Sequence, residues 1–171
     1  MKPTITVHTK LDKASLTRAV KAILNTNVVV KYAFVIGILL IVISLVLFIY
    51  VFQVQSYAPM LGIFAGTFLI FFKNLMAYFS VNKLGPEDKA YEELTYNFNA
   101  KDITIKGETF SAELYWQNIK KVLETDEFFL IFQNSLAANI IPKVSFTEAQ
   151  LKQFRSLLEL IDTIDLDLFE D

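Results

Sequence analysis

The sequence contains no cysteine and only one histidine, His8, in 171 residues. The missing thiols exclude disulfide bonds, thiolate zinc sites and cysteine nucleophiles, and one imidazole cannot build a multi-histidine metal site. No Walker sequence, serine-hydrolase elbow or calcium-binding loop with its central glycine is present. We therefore expect no catalysis, no bound metal and no cofactor.

Charge is also missing from a long internal stretch, residues 32–72. A helix crosses the apolar core of a bilayer with roughly 20 residues, so this stretch is too long for one span and suits two. The polar residues 53–59 supply a turn, and Pro59 suits the first turn of the second helix. The sequence predicts a transmembrane hairpin at residues 32–82, with helices at about 33–53 and 59–80.

Basic residues flank this hairpin. Residues 1–31 hold five lysines and one arginine against one acid, Asp12, whereas Lys83 and Lys89 follow the second helix and the turn has neither lysine nor arginine. Because cytoplasmic flanks carry the excess of lysine and arginine, we expect a multi-pass inner-membrane protein with both termini in the cytoplasm. Residues 87–171 are acidic, which argues against nucleic-acid binding.

Two features of the second helix allow alternatives. Gly62 and Gly66 permit close helix approach, either against Gly37 and Ser44 of the first helix, which we favour, or between two copies in a homodimer. Lys73 is the ionisable residue of this helix. It is either a functional group within the membrane or, as we favour, a lysine that snorkels to the cytoplasmic side.

The N-terminal segment, residues 1–31, is predicted to hold a short strand at residues 4–8 and a helix after Asp12. The apolar positions Leu16, Val20 and Leu24 have helical spacing, and Arg18 lies among the polar positions. This helix either packs on the soluble domain, which we favour, or lies on an anionic membrane surface. The sequence leaves open whether the first strand joins the later sheet.

Residues 87–161 form the predicted soluble domain. Alternation with a period of two predicts several short strands between residues 94 and 141, in an antiparallel meander or small barrel. The segment Thr147–Gln150 fits a capping box, and an apolar stripe after it predicts a helix that covers the sheet. Residues 162–171 are an acidic tail, which is either solvated, as we favour, or a short partner-binding segment.

This order of elements resembles the YcxB-like membrane proteins of bacteria. The resemblance rests on the run from Ala112 to Val122 and on these further residues: Tyr96, Phe98, Asp102, Ile103, Phe128–Phe132, Asn139–Lys143 and Phe146. It implies a cytoplasmic domain with a pleckstrin-homology (PH) like fold and brings no enzymatic activity. The family often has an arginine soon after the Pro142-Lys143 pair, where this chain has Val144.

Several residues of the domain are candidates for a role. Trp116, Pro142 and Phe146 are predicted to be structural, with Trp116 packed under the C-terminal helix. Lys143 either is solvated, as we favour, or joins Lys120 and Lys121 in a small basic patch that faces lipid headgroups. The fold class we expect is an α+β membrane protein, a transmembrane hairpin with a PH-like domain.

We expect this domain to dock a protein partner, or an identical copy, at the bilayer. The alternative is an accessory subunit of a transporter or membrane enzyme. It would contact its partner within the bilayer through Gly62, Gly66 and Lys73.

Overall fold

The computed structural model describes residues 4–50, 57–85, 87–134 and 137–169, with Tyr50 described by its backbone alone. In these residues the chain is α+β, with four α-helices and two β-sheets. The helices are α1 (Lys13–Thr26), α2 (Val28–Tyr50), α3 (Ala58–Asn82) and α4 (Glu148–Glu159). The strands are β1 (Ile5–Thr9), β2 (Leu94–Phe98), β3 (Asp102–Lys106), β4 (Ser111–Tyr115), β5 (Lys121–Glu124), β6 (Phe128–Phe132), β7 (Ala138–Pro142) and β8 (Asp165–Asp167).

The chain divides into two compact units. The described residues of 20–83 form the hairpin unit, and those of 1–19 and 84–171 form the α+β unit. Most of the predicted turn at residues 53–59 and the predicted end of the first membrane helix at residue 53 lie outside the described residues.

The first sheet joins β1 to strands that follow the hairpin in sequence. Its order is β1-β2-β3-β4, with antiparallel pairing throughout. Ile5 lies opposite Phe98 and Val7 opposite Tyr96, and all four side chains are buried. The question that the sequence left open is thereby answered, because the N-terminal strand is part of the later sheet. The hairpin is inserted between α1 and β2 of one folded unit.

The second sheet has the order β7-β6-β5-β8, and the chain passes into it through a short 3-10 turn at Trp116–Asn118. The alternation in the sequence extends the fourth strand to Trp116, but the strand ends at Tyr115. The indole of Trp116 is buried, and its Nε1 donates a hydrogen bond to the carbonyl oxygen of Asn99 at 2.7 Å. This bond fixes the corner where the chain changes sheets.

Helix α4 closes the core of the α+β unit. The predicted capping box is present, because Thr147 and Gln150 satisfy each other's backbone N–H groups. The ring of Phe154 lies 4.5 Å from that of Phe98 in the first sheet and 5.0 Å from that of Phe129 in the second. The apolar stripe of α4 therefore joins both sheets in one core, as its helical spacing predicts.

Part of the acidic tail forms a strand that was not predicted from the sequence, although its acids stay exposed. β8 pairs in parallel with β5, and Leu166 lies opposite Val122. The acids Asp165 and Asp167 alternate with apolar residues, so the acids face Lys121 while Ile164 and Leu166 pack on the core. The last two acids of the tail lie outside the described residues.

The first half of α1 belongs to the α+β unit. Leu16 and Ala19 are buried, and the Nε atom of Arg18 lies 2.7 Å from a carboxylate oxygen of Glu127 in the turn between β5 and β6. Asp12 caps this helix by accepting a hydrogen bond from the backbone N–H of Ser15 at 2.7 Å. These contacts agree with a helix that packs on the domain.

The hairpin unit contains two apolar helices, α2 and α3. Each is long and apolar enough to cross a membrane. Large apolar side chains cover their surfaces, and Val29 and Phe64 are about three-quarters exposed, at 75% and 74%. An apolar surface of this extent is typical of a helix pair that meets lipid.

Candidate functional site

The two hairpin helices approach each other through small residues. A Cβ atom on Gly66 would lie 2.6 Å from the carbonyl oxygen of Gly37, and one on Gly37 would lie 2.7 Å from that of Gly66. Gly62 faces Ser44, whose hydroxyl leaves no room for a Cβ. Both predicted packing glycines thus face α2 within the same chain, which is the arrangement that the intrachain alternative requires.

Lys73 is half-buried and directed away from the middle of α3. Its Nζ donates a hydrogen bond to the side-chain oxygen of Asn25 at 2.8 Å. Asn25 belongs to the end of α1 and precedes the apolar helix α2, so the ammonium group reaches the polar junction between those helices. This is the direction that a snorkelling lysine takes.

The three lysines of the predicted basic patch have different surroundings. Lys120 is exposed. Lys121 is paired with the acids of β8, at 2.9 Å from Asp167 and 3.9 Å from Asp165. Lys143 is paired with Glu124 at 2.5 Å. Acids therefore compensate two of the three charges, which weakens the case for an anion site here.

Glu124 is the centre of a buried charged cluster. Its side chain is fully buried and accepts two hydrogen bonds from the guanidinium of Arg155, at 2.7 Å and 3.2 Å. The ammonium of Lys143 also lies 4.6 Å from the ring centroid of Phe169, a cation–π distance. Burial alone would raise the pKa of Glu124, but hydrogen bonds and charges from Arg155 and Lys143 outweigh it and hold the pKa below its usual value.

Three elements bring this cluster together. Glu124 ends β5, Lys143 follows β7 in a 3-10 turn, and Arg155 lies on α4. Glu124 was not among the residues predicted from the sequence, although the sequence contains a signal for it. Val122 and Glu124 have the same phase in the strand and both are buried, so the carboxylate points inward and needs a buried partner.

The predicted structural residues are buried. Trp116 is 3% exposed and Phe146 is 9% exposed, and both belong to the core cluster. Pro142 is also buried and ends β7, an edge strand of the second sheet, where a missing backbone N–H costs no ladder bond.

A groove along α4 is a concave surface of the α+β unit. Its volume is about 420 Å³, and it lies between α4, β1 and the turn after β2. Ile5, Ala100 and Leu157 contribute to its apolar lining, and Leu160 stands at its edge with 80% of its surface exposed. This groove was not predictable from the sequence, because strand pairing over a long sequence separation forms its β1 wall.

Within the part of the chain that the structure describes, no group of three or more metal-ligating side chains comes together. Among known protein families, residues 98–158 match the model of the YcxB-like proteins. The resemblance seen in the sequence is thus confirmed over that segment, from the end of β2 to α4. No curated protein and no solved structure matches the chain.

Proposed function

We propose that this chain is a small integral membrane protein without catalytic activity. Its hairpin unit lies in the bilayer, and its α+β unit is a PH-like module that docks a protein partner at the cytoplasmic face. The YcxB-like segment supports the PH-like fold, since it covers most of the strands and the closing helix of that unit.

The observation that carries this proposal is the pairing of β1 with β2. The residues before and after the hairpin fold together as one unit. A hairpin that spans the bilayer must therefore enter and leave the membrane on the same side. The basic residues of both flanks favour the cytoplasmic side. The module is then held at the membrane by two covalent connections.

The groove along α4 is the docking surface that we assign to the module. It is concave and mostly apolar, and Lys152 adds a positive charge at its wall. An exposed leucine such as Leu160 beside an apolar groove is a suitable anchor for a partner with apolar side chains. If the partner is a second copy of the chain, the same surface would form a homodimer.

Crosslinking in native membranes tests this surface. Leu160→Asp places a charge at the groove edge on a largely exposed side chain, so the fold should persist. Val144→Asp is the matched control, because Val144 is 93% exposed and lies outside the groove. We expect a partner that crosslinks to the wild-type chain and to Val144→Asp but at least about tenfold less to Leu160→Asp, a loss typical of one interface anchor. Equal capture by both variants would contradict the assignment.

The accessory-subunit alternative would place the partner contact inside the bilayer. Gly62 and Gly66 face α2, which leaves large apolar side chains such as Phe64 for that contact. In the same experiment, a partner whose crosslinking survives Leu160→Asp but is lost with Phe64→Ala would favour this alternative.

A further inference from the structure

The hairpin unit has an uncompensated positive charge. Residues 20–83 contain four lysines, Lys21, Lys31, Lys73 and Lys83, and no aspartate or glutamate. Neither Lys31 nor Lys73 forms an ion pair with any described residue. The hydrogen bond from Lys73 to Asn25 uses one of three ammonium donors and adds no negative charge. Both lysines lie within the candidate spans, where an unpaired charge is costly.

The two lysines line one pocket of about 250 Å³ within this unit. The helix register explains why they meet. Gly37 of α2 lies against Gly66 and Ile70 of α3, and the helices are antiparallel. Lys31 lies six residues before Gly37 on α2, and Lys73 lies three residues after Ile70 and seven after Gly66 on α3. Because each helical residue rises about 1.5 Å, both lysines lie at a similar depth along the hairpin.

The pocket has both polar and apolar lining residues. Its polar lining residues are Asn25, Lys31 and Lys73, with the Nζ of Lys73 bonded to Asn25 at the end of α1, and its apolar lining residues include Phe34, Leu69 and Ile70. A phospholipid has the same division, with a phosphate above an acyl chain. The ammonium groups can donate to phosphate oxygens in charge-assisted hydrogen bonds.

We propose that this pocket binds the phosphate group of an anionic phospholipid between Lys31 and Lys73, with an acyl chain against Phe34, Leu69 and Ile70. The lipid supplies the counter-ion that the unit lacks. This inference rests on the membrane placement proposed above, although it concerns a ligand of the hairpin and is independent of any docking partner.

Native mass spectrometry of the full-length chain released from nanodiscs tests the proposal. The nanodiscs contain phosphatidylcholine alone or mixed with phosphatidylglycerol, and retained lipids are counted. The double variant Lys31→Gln/Lys73→Gln removes both pocket charges. The control Lys21→Gln/Lys83→Gln removes the same charge from the same unit outside the pocket. Carbonate extraction of each variant reports membrane residence separately, so failure of insertion is distinguishable from failure of lipid binding.

We expect the wild-type chain and the control to retain phosphatidylglycerol in preference to phosphatidylcholine. The double variant should lose roughly 30-fold in this preference, since each lysine near anionic lipid contributes about a factor of five. Asn25→Asp is a second test variant. A carboxylate at position 25 would form an ion pair with Lys73 and reduce the preference for phosphatidylglycerol without removing a lysine. An unchanged preference in both variants, or an equal loss in the control, would overturn the proposal.

Added inorganic phosphate distinguishes the two sources of the ligand. A phospholipid that also binds through its acyl chain should remain bound in millimolar phosphate. Displacement of phosphatidylglycerol by free phosphate would overturn the assignment to lipid and leave a simple anion site.

Discussion

Burial determines how much the ion pairs of Glu124 contribute to the stability of the α+β unit. The fully buried carboxylate of Glu124 is held between Lys143 and Arg155, whereas the exposed Asp167 pairs with Lys121 at a similar distance. Removal of one partner from a buried cluster leaves the others desolvated without compensation. An exposed pair is replaced by water at little cost.

Glu124→Gln should therefore lower the free energy of unfolding of the α+β unit by about 3 kcal/mol. The matched control Asp167→Asn should lower it by at most about 1 kcal/mol. Thermal unfolding of both variants in detergent, followed by circular dichroism, measures the difference. Equal losses in the two variants would show that the Glu124 cluster is not buried as described.

The same cluster predicts a pH dependence. The pKa of Glu124 in the folded chain is below its ordinary value of 4.5. Its contribution to stability is therefore complete above about pH 4.5 and is lost as the pH falls through the lower folded-state pKa. We expect the difference in Tm between wild type and Glu124→Gln to be constant from neutral pH to about pH 5 and to shrink below that. A difference that grows on acidification would contradict this assignment.

At the scale of single residues, the sequence indicated Trp116, Pro142 and Phe146 as structural positions, and all three are buried. It could not indicate the partners of Glu124, because positions 124, 143 and 155 lie on three separate elements. Only the packing of α4 on the second sheet brings those side chains together.

Among the elements, those with a strong local pattern were predictable. The apolar runs indicated α2 and α3, and the capping box with its apolar stripe indicated α4. The pairing of β1 with β2 was not predictable, because the hairpin separates the two strands and period-two alternation does not name a partner. The parallel strand β8 was missed since acids dominate its composition, and Lys121 compensates them only after folding.

The close contact between α2 and α3 gives a prediction at this scale. Gly66→Ala would place a Cβ 2.6 Å from the carbonyl oxygen of Gly37, so the helices must separate. We expect a loss of about 1–3 kcal/mol in stability of the hairpin unit. Gly85→Ala is the control, because nothing lies within 4 Å of a Cβ there and the cost should stay within about 0.5 kcal/mol. Tm values in detergent compare the two variants. An unchanged Tm for Gly66→Ala would contradict the close approach of Gly37 and Gly66.

On the scale of the whole molecule, the insertion of an apolar helical hairpin into an α+β unit is the feature that most constrains the proposed function. Both connections to the hairpin leave one folded unit, so a hairpin that lies in the bilayer, as proposed, would hold the whole α+β unit on one side of it. A docking module gains affinity from such tethering when its partner is also at the membrane, because the effective concentration rises.

Cysteine labelling of intact cells tests this account most directly, and the chain has no native cysteine to interfere. Tyr57→Cys lies just before α3 at a residue that is 78% exposed, and Val144→Cys lies in the α+β unit at one that is 93% exposed. A membrane-impermeant maleimide should label Tyr57→Cys in intact cells and Val144→Cys only after permeabilisation. Labelling of Val144→Cys in intact cells, or of Tyr57→Cys only after permeabilisation, would contradict a cytoplasmic module held by a membrane hairpin.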